Sequence, residues 1–318
     1  MKIRFWGVRG SIPTPLSIEA IEKKITEALS LARPGDISSR ESIDSFVRAL
    51  PLSVRGTYGG NTAAIQVDTD SSDVIIIDCG SGLRAMGRQL MKSEFGKGKG
   101  VGNILLTHTH WDHIQGIPFF IPFYIKGNRF NFYSPVRDFR SRLDYQHAFS
   151  HFPITLDYMQ ATKEFYHIEE GEYFYLNDVS IFNMKMPHPG GSYGFRIEEK
   201  GRSFVFTSDC EFNIHEVDNI DKYEELFRNA DVVVFDAQYT FEESIEKIDF
   251  GHSSGSIAID IARKFGVKRL VLFHHEPEYD DKKLESVLST AKAYMGMNAQ
   301  KMGSIELDIA YEGLEINL

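Results

Sequence analysis

Residues 104–116 read ILLTHTHWDHIQG, and this stretch decides how the rest of the chain is understood. The apolar run Ile104–Leu106 leads into three histidines and an aspartate within six residues, His108, His110, Asp112 and His113. In an extended segment side chains two apart project to the same side, so His108 and His110 share a direction. Asp112 and His113 follow where the chain turns toward a helix. Imidazoles and a carboxylate crowded in this way suit zinc or a similar divalent ion. Burying them with no ligand would be expensive. A surface loop that is merely rich in histidine is the alternative.

Outward from this loop, 74–78 (VIIID) reads as a buried strand ending at Asp78. It pairs with a strand at 63–69 around the polar turn Asp70–Asp73. Gly80–Gly82 leads into a helix at 83–91, the Gly-rich 96–102 forms a loop, and 103–106 is the strand that delivers the histidines. Nearer the N-terminus, 2–8 alternates as a strand does. Helical spacing at 17–33 and a second short helix within 34–56 suggest a helical insertion at about 16–56. Downstream, strands are expected at 129–133, 164–168, 173–176, 178–186, 193–199, 203–207, 231–236 and 269–273, with a final strand pair near 304–316. Helices are expected at 137–149, 155–161, 254–265 and 281–295. Strand-rich halves with interleaved helices predict two sheets covered by outer helices, an α/β (α+β) fold. No linker separates independent units, so 1–318 reads as a single domain.

The composition fits a globular chain: 318 residues, 42% apolar and 25% charged, with 24 Phe and 14 Tyr available for an aromatic-rich core. The formal net charge of −10 argues against broad electrostatic affinity for nucleic acid, so nucleic acid is disfavoured as a partner. A small anionic substrate remains compatible, because a bound metal inverts the local field. Only Cys79 and Cys210 are present, which implies no disulfide framework and fits a reducing compartment. No apolar run approaches the roughly 20 residues needed to span a bilayer, and no signal-peptide pattern opens the chain. A cytoplasmic protein with no membrane partner is expected.

Beyond the histidine loop, FWGVRGSIPTP (5–15), YGGNT (58–62), IIDCGSG (76–82), HPGGSYGFRIE (188–198), TSDCE (207–211) and GHSSGSIAIDIARKFGVKRLVLFHHEP (251–277) complete a recognisable set. The sequence resembles the metallo-β-lactamase superfamily over nearly its whole length. Within it, the chain is similar to the branch that holds tRNase Z and small bacterial phosphodiesterases. The resemblance implies a four-layer αββα sandwich with two divalent ions, zinc, manganese or iron, at one edge of the sheets. It places one ion on His108, His110 and His188, a second on Asp112, His113 and His274, and Asp209 between them. Asp78 would orient the metal loop from behind. Each role has a plainer alternative. His188 could be an exposed turn residue before Pro189, and Asp209 a helix N-cap. His274 and His275 are adjacent, so alternation sends them to opposite sides and only one should bind; the family pattern selects His274. Cys210 is read as a small buried residue, not a ligand.

The resemblance also implies hydrolysis by a hydroxide shared between the metals, with Asp112, Asp209 and His252 as the catalytic residues. His252, in a GHSS motif, would assist the leaving group; its plainer role is to cap the helix at 254–265. Asn61 and Ser253 are candidate substrate contacts. The segment 118–165 would form a pocket wall whose aromatics, among them Phe119, His147 and Phe152, could stack on a base or simply pack in the core. The leading reading is a phosphodiesterase acting on a small phosphodiester such as a cyclic nucleotide, in a protein that forms a homodimer. The alternatives are a tRNase-Z-like endoribonuclease and a catalytically silent metal-binding regulatory protein.

Overall fold

The computed structural model describes residues 1–70, 73–213, 216, 218–297 and 305–318. In chain order the strands are β1 (Lys2–Gly7), β2 (Ala64–Asp68), β3 (Val74–Ile77), β4 (Val101–Leu105), β5 (Arg129–Ser134), β6 (Thr162–His167) and β7 (Tyr173–Leu176). They continue with β8 (Val179–Met186), β9 (Ser192–Glu199), β10 (Arg202–Phe206), β11 (Val232–Asp236), β12 (Arg269–Phe273), β13 (Glu306–Ile309) and β14 (Glu315–Asn317). The helices used below are α1 (Ile18–Leu31), α2 (Arg40–Ala49), α3 (Leu52–Arg55), α4 (Leu83–Leu90), α5 (Trp111–Ile114) and α6 (Phe139–Gln146), then α7 (Glu224–Phe227), α8 (Phe241–Glu246), α9 (Gly255–Lys264) and α10 (Asp281–Met297).

Near-continuous apolar strands such as VIII and VVVFD are buried on both faces, so each must be covered twice. Two seven-stranded sheets do this, in the orders β14-β1-β2-β3-β4-β5-β6 and β13-β12-β11-β10-β9-β8-β7. Alternation divides each strand between two cores. Ile75, Ile77, Val232, Val234, Val271 and Phe273 meet between the sheets. Ile76 and Ile104 face out toward α4, while Val233, Phe235, Leu270 and Leu272 face α9 and α10. The result is the expected helix–sheet–sheet–helix sandwich. Strands β3 to β6 run parallel in the first sheet, and β10 to β13 run parallel in the second. Open sheets of this kind bind ligands beyond the carboxyl ends of their parallel strands. The ends of β3, β4, β10, β11 and β12 carry the residues of interest.

Helices α1, α2 and α3 fill the connection between β1 and β2, and neither α1 nor α2 contains a buried residue. Two expectations are corrected. The stretch 155–161 is not helical beyond a single 3-10 turn at Leu156–Tyr158. Hydrogen bonds from Ala161 N to Phe123 O and from Thr162 N to Asn128 O, both 2.9 Å, draw the chain out to start β6. The strands near 304–316 are not a pair. β13 joins β12 in one sheet and β14 joins β1 in the other, so the chain crosses the sandwich between them. Residue 304, like Ser71 and Ser72 of the turn after β2, lies outside the described residues.

Candidate metal centre

The strand ends turn sharply to form the site. Asp78 after β3, Ser208 after β10 and His274 after β12 have φ of 59°, 58° and 63°. Left-handed backbone is uncommon for residues with a Cβ and persists where the surroundings enforce it. These turns aim side chains from both sheets into one region. His108, His110, His188 and Asp209 form one group whose ligand atoms lie within 4.8 Å of one another, and Asp112, His113, Asp209 and His274 form a second. Asp209 belongs to both, and to a third such group with Asp236, His252 and His274. The first two sets are those that the resemblance implies.

Three of the imidazoles, His113, His274 and His188, are held through Nδ1 by a neighbouring acceptor. Asp78 accepts from His113 Nδ1 at 2.7 Å and from Thr107 N and Oγ1 at 2.9 and 3.0 Å, which ties the loop to the end of β3. Gln238 Oε1 accepts from His274 Nδ1 at 2.8 Å. The Gly251 carbonyl accepts from His188 Nδ1 at 2.9 Å. Gly251 has φ of +93°, and a Cβ there would strike the His188 ring. Hydrogen bonds of this kind fix tautomer and ring orientation in metal sites. Thr107 Oγ1 stands 3.0 Å from His108 Nδ1.

The free atoms converge on positions that protein groups leave unfilled. His108 Nε2, His113 Nε2 and Asp209 Oδ1 are buried and find no hydrogen-bond partner among the described residues. His113 Nε2 stands 3.1 Å from Asp209 Oδ1. His188 Nε2 and His110 Nδ1 face each other at 3.1 Å. Burial lowers the pKa of His188 and His110, and lowers that of His108 further with help from neighbouring histidines. These rings are neutral, the state that coordinates a metal. Burial opposes a charge on His113, but Asp209, Asp112 and Asp78 outweigh it and raise its pKa well above the usual value. Buried carboxylates that demand a cation, beside buried nitrogens without partners, fit divalent metal ions.

His252 lies beside these groups. Its Nδ1 is 2.8 Å from Asp236 Oδ2, and its ring stacks on His274 with centroids 4.8 Å apart. Burial works against protonation, but Asp236 prevails and lifts the His252 pKa to about 9. Asp236, at the end of β11, escaped the sequence reading although VVVFD repeats the strand-then-aspartate pattern of VIIID. Gln238 was not visible by any local signal. His275 turns the other way and bonds to Ala310 O at 2.8 Å, as alternation requires. Two expected substrate contacts are placed otherwise. Ser253 is 1% exposed; its hydroxyl donates to Cys210 O and accepts from Phe212 N, so it locks the loop after Asp209. Asn61 donates its amide to Glu312 and accepts from Ser81. Cys210 is fully buried.

A largely buried pair of histidine–aspartate sets, with His110 exposed, at one edge of an αββα sandwich defines the class of metallo-β-lactamase-fold, metal-dependent hydrolases. Residues 74–275 match the family model of the beta-lactamase superfamily domain, and the chain belongs to that superfamily. Ribonuclease Z of Thermoplasma acidophilum is 27% identical over 252 residues, which cover 65% of this chain and 78% of that one. The short form of human tRNase Z superposes with a TM-score of 0.61 at 18% identity, covering 100% of this chain and 99% of that one. Zn(2+)-bound PqqB from Methylobacterium extorquens gives a TM-score of 0.64 at 14% identity, with both chains covered completely. The expectation that nucleic acid is an improbable partner is overturned by the Ribonuclease Z and tRNase Z matches, which are named as nucleases. Net charge averages over the whole surface, whereas a metal centre sets the field where a phosphate would sit. No helix among the described residues is long and apolar enough to cross a membrane.

Proposed function

We propose that the protein is a metal-dependent phosphodiesterase that cuts RNA, in the manner that the name of its Ribonuclease Z relatives suggests. The observation that carries the reading is the joint geometry of two ligand groups sharing Asp209 and the His252–Asp236 pair beside them. His108, His110, His188 and Asp209 would hold one divalent ion, and Asp112, His113, His274 and Asp209 the other. When bound, such ions supply Lewis acidity, neutralising phosphate charge and activating water near neutral pH. Five imidazoles and two carboxylates suit zinc first, with manganese or iron as further candidates.

The chain's own residues have defined tasks. Asp78, Gln238 and the Gly251 carbonyl hold three imidazoles in the tautomer that leaves Nε2 free. Asp236 fixes the His252 ring and favours its protonated form, which leaves Nε2–H to pass a proton to the departing oxygen. A single acidic chain can act on RNA if recognition is local to the cut. A second reading, a small phosphodiester such as a cyclic nucleotide, is favoured by the net charge of −10, because a mononucleotide needs no long basic track.

The test is hydrolysis by metal-reconstituted protein of a precursor tRNA, cyclic nucleotides and bis(p-nitrophenyl) phosphate. Cleavage of the RNA, lost in Asp209→Ala and impaired in His252→Ala, supports the first reading. Turnover of cyclic nucleotides alone moves the substrate to the second. No turnover of any diester by metal-loaded protein refutes both.

A further inference from the structure

Glu211 is a buried carboxylate beside the metal centre that belongs to none of the ligand groups. It closes the TSDCE stretch two residues after Asp209 and is 9% exposed. Its main chain and its side chain grip the protein on two sides of His188. Glu211 N donates to Pro187 O at 2.7 Å, at the residue before His188. The carboxylate accepts from Asp249 N at 3.0 Å through Oε1 and from Gly251 N at 2.8 Å through Oε2. Both oxygens are thereby committed to backbone donors.

The loop that the carboxylate holds is shaped against the His188 ring. Asp249 has φ of 68° and Gly251 φ of 93°, two left-handed positions within three residues. Left-handed backbone persists in a residue with a Cβ where the surroundings enforce it. Apolar packing does not supply that enforcement here. α8, just before the loop, contains no buried residue, and Phe241, Ile245, Ile248 and Phe250 are 53% to 65% exposed. Backbone N–H groups gathered at such turns bind an anion, and a charged acceptor makes their hydrogen bonds roughly twice as strong as neutral ones. With the loop fixed, the Gly251 carbonyl meets His188 Nδ1 at 2.9 Å. The approach is so close that a Cβ on Gly251 would stand 2.3 Å from the same nitrogen.

We propose that Glu211 is a positioning residue for one of the two ions. Its carboxylate holds the Asp249–Gly251 loop, and the loop sets the His188 ring so that Nε2 faces the position shared with His108, His110 and Asp209. The inference rests on the reading that this group holds a divalent ion, and it assigns control of that ion to a residue outside both ligand sets. The geometry calls for two acceptor oxygens at the reach of a glutamate. Glutamine presents one acceptor and one NH₂, which sets a donor against a donor at Asp249 or at Gly251. Aspartate keeps the charge and falls one methylene short. The imidazoles of the second group, His113 and His274, are braced by Asp78 and Gln238 instead, so that group should not respond.

The test is a metal-binding measurement that needs no turnover. Metal-free full-length protein is titrated with Zn²⁺ against a chromophoric chelator, and with Co²⁺ followed by absorption, which reports coordination. The parent should bind two ions, one on each of the two sets described above. Glu211→Gln and Glu211→Asp should each weaken one of them by about 10–100-fold, the scale for partners of ligating histidines, and leave the other unchanged. His188→Ala and His274→Ala assign the weakened ion. Glu211→Gln should add nothing in the His188→Ala background, because it acts through that ring, and should keep its full effect in the His274→Ala background. Circular dichroism confirms that each variant is folded; if Glu211→Gln is not, Glu211→Asp carries the test. Unchanged affinity, equal weakening of both ions, or a loss that adds to that of His188→Ala overturns the inference. Parental affinity in Glu211→Asp also overturns it, since charge alone would then suffice. A parent that binds no metal removes the inference together with the metal centre. A parent that binds two ions without hydrolysing bis(p-nitrophenyl) phosphate sinks the proposed function alone, and the affinities still decide the role of Glu211.

Discussion

The metal centre and the helices α1 and α2 depart from the inside-out rule in opposite directions. At the centre, His108, His113, Asp209 and His274 are polar and at most 2% exposed. On α1, Ile18, Ile21, Ile25 and Leu29 are apolar and 45% to 74% exposed. A buried polar group is tolerated when every atom is satisfied. Here several atoms, on His108, His113 and Asp209, are not, and the imidazoles of His113, His274 and His188 are braced by Asp78, Gln238 and Gly251. Such bracing makes sense for a ligand, not for a core. The exposed isoleucines have no such bracing, and apolar atoms form much of any protein surface. The contrast teaches that a buried group without a partner points to function more directly than an exposed apolar one.

Four substitutions sharpen or break this contrast, taken from the largest effect to the smallest. Asp209→Ala removes the residue common to both ligand groups. It should lower diester hydrolysis by more than about 10³-fold, on the scale of losing a principal electrostatic contributor, and reduce bound metal measured by mass spectrometry. Retained activity would show that the shared position is not central. His252→Ala should cost about 10²–10⁴-fold, the range of general acid catalysis, with metal content unchanged. Loss of metal in that variant would move His252 into the ligand set.

Gln238→Ala frees the His274 ring without touching a ligand atom. Metal affinity should fall about 10–100-fold, as for other partners of ligating histidines, when followed by competition with a chelator. An unchanged affinity would show that the ring is held by packing alone. The smallest effect is expected from Ile25→Ser on α1, within about 0.5 kcal/mol of the parent in urea unfolding, as for surface positions. A larger loss, or a changed sedimentation coefficient, would show that another copy covers this face and would support the expected homodimer.

Much of the fold is legible because local periodicity carries it. VIIID and VVVFD read as strands from their β-branched runs, and α1 from its isoleucine spacing. Where the reading failed, a distant partner decided the outcome. Residues 155–161 carry a helix-compatible pattern, yet bonds from Ala161 N to Phe123 O and from Thr162 N to Asn128 O draw the chain out to start β6. β13 and β14 look like a hairpin, yet β13 pairs with β12 in one sheet and β14 with β1 in the other.

The sequence by itself determined the class of the site. His108, His110, Asp112 and His113 lie within one short loop, and the shared direction of His108 and His110 follows from backbone geometry alone. Alternation also required His274 and His275 to point to opposite sides, although the choice of His274 came from the family resemblance. Only the tertiary structure decided that Asp236 orients His252, that Ser253 locks a loop, and that Glu211 holds the Asp249–Gly251 loop against His188. Those relations join residues on different elements. The distance between elements is set by how two sheets and their helices pack, which no local pattern encodes.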